Sequence, residues 1–246
     1  MKTSYQLLIL AAFILFGTTA AYDIALNREY SKTDHNDPYS DYDQLNFKNF
    51  DKIEILGSNR IATTIIYGPK FDVKQLKFME DVLIEQKGST LIITFNSESN
   101  SYQGGSGNDF IIKCPSLKQI TADFIYTSNG MPVATLDSKS DRYYGGRVSV
   151  NGFKQDSLYV IMNNSTTVLL QNNNLNFLDA NIGGRDLTRS TIDIDGTNSI
   201  SSAQLNLQHQ SVMTLRNIYI NNFKYKLSDS AQVNLSGISL QLLSKK

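Results

Sequence analysis

Val148-Ser149-Val150-Asn151-Gly152 opens a recurrence that decides how the chain folds. Apolar pairs two residues apart return at Val168/Leu170, Ile192/Ile194, Met213/Leu215 and Val233/Leu235, at steps of 20, 24, 21 and 20 residues. Two positions after each pair stands Gly or Asn: Gly152, Asn172, Gly196, Asn217 and Gly237. A second apolar position follows at Leu158, Leu178, Leu205 and Phe223. Period-two pairs punctuated by residues that tolerate positive φ describe short strands joined by tight turns. One such unit cannot bury its own apolar face, whereas stacked units can. The expected fold is therefore all-β: a single-stranded, β-helix-like β-solenoid with an N-terminal strand/hairpin region. Asparagine agrees, because 14 of the 23 in the chain lie after residue 150, where they can form amide ladders and occupy left-handed turns. The alternative for the same pattern is a β-sandwich whose hairpins have similar lengths.

Towards the N-terminus the strand pattern continues. Lys52-Ile53-Glu54-Ile55 alternates, and Ile61 to Tyr67 is β-branched up to Gly68-Pro69. Val82 to Gln86 meets Leu91 to Phe95 across Lys87-Gly88-Ser89-Thr90, the signature of a hairpin. Gly104-Gly105-Ser106-Gly107 resembles a phosphate loop in composition only, since Phe110-Ile111-Ile112 after it reads as a strand rather than the helix such a loop needs. No long 3.6-residue periodicity follows residue 21.

The first residues have the grammar of a secretory signal. Lys2 precedes the apolar run Leu7 to Phe16, and Thr18-Thr19-Ala20-Ala21 supplies small residues for cleavage. A run of about ten residues is short for a bilayer core, and no cysteine follows it to carry a lipid anchor. Residues 22–45 carry Asp23, Glu29, Asp34, Asp37, Asp41 and Asp43 without apolar periodicity, as expected of a poorly ordered acidic arm. Asp34, Asp37, Asp41 and Asp43 lack the spacing and the central glycine of a calcium-binding EF-hand loop. The expected organisation is a signal peptide over 1–21, the arm over 22–45 and one β domain over 46–246.

Composition narrows the function classes. The 246 residues hold 23 basic and 23 acidic groups with a formal net charge of zero, which provides no footprint for a phosphate backbone and speaks against a nucleic-acid partner. One cysteine and two histidines exclude an internal disulfide and leave too few ligands for a structural zinc site. No cofactor or metal is expected.

The segment Phe110-Ile-Ile-Lys-Cys-Pro-Ser-Leu-Lys-Gln-Ile120 resembles the strand, Pro-Ser-Leu-Lys, Ile signature of the head GIN domain family, whose members are provisionally assigned as auto-transporter adhesins. Phe50 to Ile55 is similar to that family's opening strand and Val82 to Phe95 to its hairpin. The family's Gly-Ser-Gly turns are replaced here by Ser128-Asn129-Gly130, Asn163-Asn164-Ser165, Gly196-Thr197-Asn198 and Ser236-Gly237. Over about residues 46 to 240 the resemblance implies a secreted β-solenoid, and it carries no catalytic residues across.

Candidate chemistry is sparse. Tyr143-Tyr144-Gly145-Gly146-Arg147 and Tyr219, near Phe223 and Tyr225, offer aromatic faces for sugars or peptides, and Tyr143, Tyr144, Arg147 and Tyr219 are the candidate binding residues. Asp193 and Asp195 share a strand face about 6 to 7 Å apart, a separation at which two carboxylates can divide acid and base roles. Arg185, Asp186 and Arg189 precede them, yet an outward Asp on a strand is ordinarily just solvated. His209 beside Ser211 reads as a turn residue, His35 has no evident partner, and Cys114 reads as a buried thiol. Asn163, Asn164 and Asn234 head N-x-S/T triplets, which matter only in a eukaryotic secretory route.

The expected function is that of an exported, non-catalytic binding or adhesin-like protein of the cell envelope or surface. Its partner would be a glycan or an envelope or surface protein, with no membrane span after signal cleavage. The alternatives are a β-helix polysaccharide lyase or hydrolase and a self-associating envelope scaffold. Intact mass of the exported protein is expected to show cleavage near Ala21, and a species that keeps Met1 after export would contradict it.

Overall fold

The structure is a computed structural model that describes residues 2–31, 37–77, 79, 82–95, 108–128, 131–133, 146–184 and 189–243. Two units partition the chain, Met1–Tyr42 and Asp43–Lys246. The first is dominated by helix α1 (Lys2–Tyr30). Within it Thr18 and Thr19 turn their hydroxyls back to the carbonyls of Ile14, Leu15 and Phe16, which satisfies those hydroxyls. The helix runs past Ala21 to Tyr30. It is apolar and N-terminal, as a signal sequence is, and is long enough to cross a membrane by length and composition.

The second unit is built from strands β1 (Tyr42–Leu45), β2 (Lys52–Ile55), β3 (Thr63–Tyr67), β4 (Asp72–Leu76), β5 (Val82–Lys87), β6 (Thr90–Phe95), β7 (Phe110–Cys114), β8 (Gln119–Ala122), β9 (Tyr126–Ser128) and β10 (Met131–Val133). These are followed by β11 (Val148–Asn151), β12 (Lys154–Met162), β13 (Thr167–Gln171), β14 (Asn174–Ile182), β15 (Thr191–Asp195), β16 (Ser199–Leu207), β17 (Val212–Arg216), β18 (Asn222–Leu227) and β19 (Gln232–Ser236). A short 3-10 helix, Gly237–Leu243, ends the described chain.

The expected single-stranded β-solenoid is not what forms. The strands make two large mixed sheets in a sandwich-like fold, one ordered β1-β4-β7-β3-β11-β13-β15-β17-β19 and the other β18-β16-β14-β12-β8-β2-β6-β5, with β9 and β10 paired apart. Parallel ladders such as β13 on β15 stand beside antiparallel ones, β4 on β7 and β5 on β6. Neighbours in the first half are not successive in the chain, since β3 lies between β7 and β11, and β2 between β6 and β8. A stack of sequential coils cannot produce that order. The recurrence of about twenty residues reports the return to one sheet, and the strand between two returns, β12 or β14, belongs to the opposite sheet.

The core lies between the two sheets. On one, Val148, Val168, Ile192, Met213 and Val233 pair in register, as do Val150, Leu170, Ile194, Leu215 and Leu235. On the other, Leu158, Leu178, Ala203 and Phe223 pair in register, so Ala203 takes the place the sequence pattern assigns to Leu205. Side chains from both sheets form one apolar cluster, Ile65 and Val150 with Ile53, Leu91 and Leu158 among them. In β14 and β16 the buried positions change phase, from Leu175 to Leu178 and from Ile200 to Ala203, which marks a bend near the third residue of each strand.

The turns are closed by polar ladders. Gly152, Asn172, Asn217 and Gly237 have φ of 82°, 54°, 54° and 62°. Gly196 lies outside that region and is small for another reason, because a Cβ there would sit 2.5 Å from the Asn217 carbonyl oxygen. Buried Asn173 donates to the Val150 carbonyl at 3.0 Å and accepts from the Phe153 N–H at 3.0 Å. Asn198 repeats this one turn on, donating to Leu170 O at 2.6 Å and accepting from the Asn173 N–H. Each amide satisfies backbone groups that the turn would otherwise bury unpaired.

Ile192 is fully buried between Val168 and Met213. Ile192→Asp places an unpaired carboxylate there and is expected to lower the unfolding free energy by about 4 kcal/mol in urea titration. An unchanged urea midpoint would contradict this placement.

Candidate binding surface

Outward positions of β12, β14, β16 and β18 form parallel rows on the outer face of the eight-stranded sheet, with neighbouring strands about 4.8 Å apart. One row runs Gln119, Tyr159, Asp179, Gln204, Lys224, and the next runs Thr121, Ile161, Asn181, Asn206, Lys226. A third holds Ser157, Phe177, Ser202 and Asn222. Tyr159 is 46% exposed, although the strand around it is apolar. Asn206 donates to the Asn181 side chain at 3.3 Å and Asn222 to the Ser202 hydroxyl at 3.4 Å. These amides are held in position across strands, which lowers the side-chain entropy lost when a partner binds. The face combines an exposed aromatic side chain with rows of amides, which suits stacking and hydrogen bonding.

The residues singled out in the sequence are not gathered there. Tyr143 and Tyr144 lie outside the described residues. Arg147 is exposed just before β11, where its carbonyl accepts from the Thr63 N–H at 2.8 Å. Tyr219 follows β17 and packs half-buried against the core. β13 and β15 separate β11 from β17, so the backbones of those strands stand about 14 Å apart. Tyr159 and Phe177 escape a sequence reading because Leu158-Tyr159-Val160-Ile161-Met162 is apolar throughout and hides the alternation. The signal available is parity: Leu158 inward sets Tyr159 outward.

Asp193 and Asp195 do share the outer face of the nine-stranded sheet, but each is already engaged. Arg216 grips Asp193 with two bonds, Nε to Oδ1 at 3.1 Å and Nη2 to Oδ2 at 2.8 Å. Asp195 accepts from the Thr197 hydroxyl, from the Thr197 N–H at 3.0 Å and from Gln171 Nε2 at 3.3 Å. Burial pushes the Asp195 carboxyl up, but these hydrogen bonds and the Arg216 charge outweigh it and leave it below the ordinary carboxylate value. Arg189 is exposed, and Arg185 and Asp186 lie outside the described residues.

The remaining candidates have structural roles. Asn164 is buried and donates to Asp123 Oδ1 at 2.7 Å, while Asn163 donates to Oδ2 at 3.3 Å and accepts from the Gly184 N–H at 3.0 Å. Asn234 donates to Thr214 at 3.4 Å. His209 occupies a turn with φ of 52°. Cys114 is a fully buried free thiol, pushed up to about 12 by burial with the Asp51 charge adding to it. His35, Asp34 and Gly104 to Gly107 lie outside the described residues. Among the described residues no group of three or more His, Cys, Asp or Glu side chains is placed to hold a metal ion.

A lowered carboxyl contributes stability that is present above its unfolded value and is lost as the pH falls through its folded one. Asp195→Asn is therefore expected to be most destabilising at neutral pH, with the gap to the parent protein narrowing below about pH 4. Urea midpoints across the acid range check this, and a gap that widens with acid would contradict it.

No family model matches the chain, and no curated protein matches it. The resemblance to the head GIN family thus rests on the residues quoted for it. Similar solved structures include a protein from Bacteroides fragilis provisionally named an adhesin, at 14% identity over 79% of this chain and 96% of that one, with a TM-score of 0.40. A second, from Parabacteroides distasonis, carries the same provisional name at 10% identity over 80% and 94%, with a TM-score of 0.31. A third, from the same organism and provisionally named lipid-binding, has 12% identity over 80% and 94% and a TM-score of 0.30.

Proposed function

We propose that this chain is an exported, non-catalytic binding protein of the cell envelope or surface, holding a glycan or a surface protein against the outer face of its eight-stranded sheet. The observation that carries this reading is Tyr159, exposed in the middle of a sheet and flanked in register by Gln119 and Asp179. A desolvated aromatic face supplies a kcal/mol or more at such a contact, and fixed amides on neighbouring strands add orientation. The apolar N-terminal helix supports export, with residues 1–21 as the signal, 22–45 as an arm and 46–246 as the binding domain. Tyr143, Tyr144, Arg147 and Tyr219 stay proposed as binding residues, with Arg147 beside β11 and Tyr219 against the core lying off this face. The engagement of Asp193 by Arg216 and of Asp195 by Thr197 favours binding over catalysis at that pair.

A glycan array probed with the purified protein, beside an activity screen on the same polysaccharides, tests the proposal. Tyr159→Ala is expected to weaken the bound glycan about tenfold, the equivalent of about 1.4 kcal/mol, and Asp193→Asn with Asp195→Asn to leave it nearly unchanged. Polysaccharide turnover that disappears with the two aspartates would overturn it.

A further inference from the structure

β18 is the last strand of the eight-stranded sheet and β19 the last of the nine-stranded one. On β18, Phe223, Tyr225 and Leu227 occupy the inward row, in register with buried Ala203, Leu205 and Leu207. Yet Tyr225 is 49% and Leu227 38% exposed, and Val233 and Leu235 on β19 are only half-buried. Inward positions that are sealed on every strand towards the middle of the sheets are open at this end. The outward positions of β18 are Asn222, Lys224 and Lys226, all exposed. Among the described residues from Ser211 onward, Lys224 and Lys226 stand against Asp229, with Arg216 already paired to Asp193, so the β18 edge is basic within a chain of zero net charge.

We propose that the β18 edge accepts an extended acidic strand from another polypeptide, which continues the eight-stranded sheet by one strand. An open edge presents a row of backbone donors and acceptors to any extended chain, and the alternate side chains decide which chain fits. A second copy paired through β18 does not fit. The antiparallel registers that pair most of the strand set Lys224 against Lys224 or against Lys226, and a parallel in-register pairing sets each lysine on itself. Like charges directly opposite one another destabilise a ladder. A strand with acidic residues at every second position places them opposite Lys224 and Lys226, and its intervening apolar residues fall on the open end of the core beside Tyr225 and Leu235.

The test uses two fluorescent peptides of about ten residues, a length that covers one strand: valine alternating with glutamate, and valine alternating with lysine. Fluorescence anisotropy with the purified protein is expected to show the glutamate peptide binding at least about tenfold more tightly. The double variant K224E/K226E, changed only at exposed positions, is expected to invert that preference while its circular dichroism and urea midpoint stay those of the parent protein. Hydrogen exchange is expected to slow at the amides of Asn222–Leu227 when the glutamate peptide is added. Absence of binding, equal affinity for the two peptides, or protection confined to other strands would overturn the proposal. So would a dimer in sedimentation velocity that protects the same amides without peptide.

Discussion

The whole second unit depends on one constraint: two sheets must turn their inward rows towards each other and remain in register while doing so. In the parallel ladders a side chain meets the same position of the next strand about 4.8 Å away, so Val168, Ile192 and Met213 pack as a column rather than as independent residues. Such columns tolerate few polar substitutions, since a slip of one residue exposes every apolar side chain of a strand and buries every polar one. This is why the apolar pairs recur so regularly even though the connections between them vary in length.

Columns of apolar residues solve only half of the problem, because each return to the same sheet passes through a turn whose backbone groups are partly buried. Asparagine is suited to that place. It reaches left-handed backbone geometry at Asn172 and Asn217, and as Asn173 and Asn198 it carries a donor and an acceptor on one short side chain that bond backbone groups of adjacent strands. Polar ladders at the turns and apolar columns between the sheets therefore share one register, so an error in either is felt by both.

Much of this was legible in sequence. The register column from Val148 to Val233, the hairpin from Val82 to Phe95 with Gly88 in its turn, and positive φ at Gly152, Asn172, Asn217 and Gly237 all follow from local patterns that one strand and its turn contain. The number of sheets and their strand order were not, because spacing along the chain does not say that β3 inserts between β7 and β11 or that β4 runs antiparallel to β7. Leu205 was misplaced for a related reason: the true equivalent is Ala203, whose small side chain does not register as an apolar landmark. The candidate surface is the least visible part, since the exposed Tyr159 sits within an unbroken apolar run and the Asp193/Asp195 pair is tied to its own neighbours.

Cys114 gains a different meaning once its surroundings are considered. Exchange between a thiol and a disulfide proceeds through the thiolate, and a thiol held near 12 is ionised in only about one molecule in 10⁵ at neutral pH. The sulfur is also sealed from solvent. A chain with a single cysteine that enters an oxidising compartment has no internal partner for it, and any disulfide it formed would join two molecules. Closing the sheet over Cys114 shuts that route in the folded domain, so the thiol is open to capture chiefly before β7 is covered.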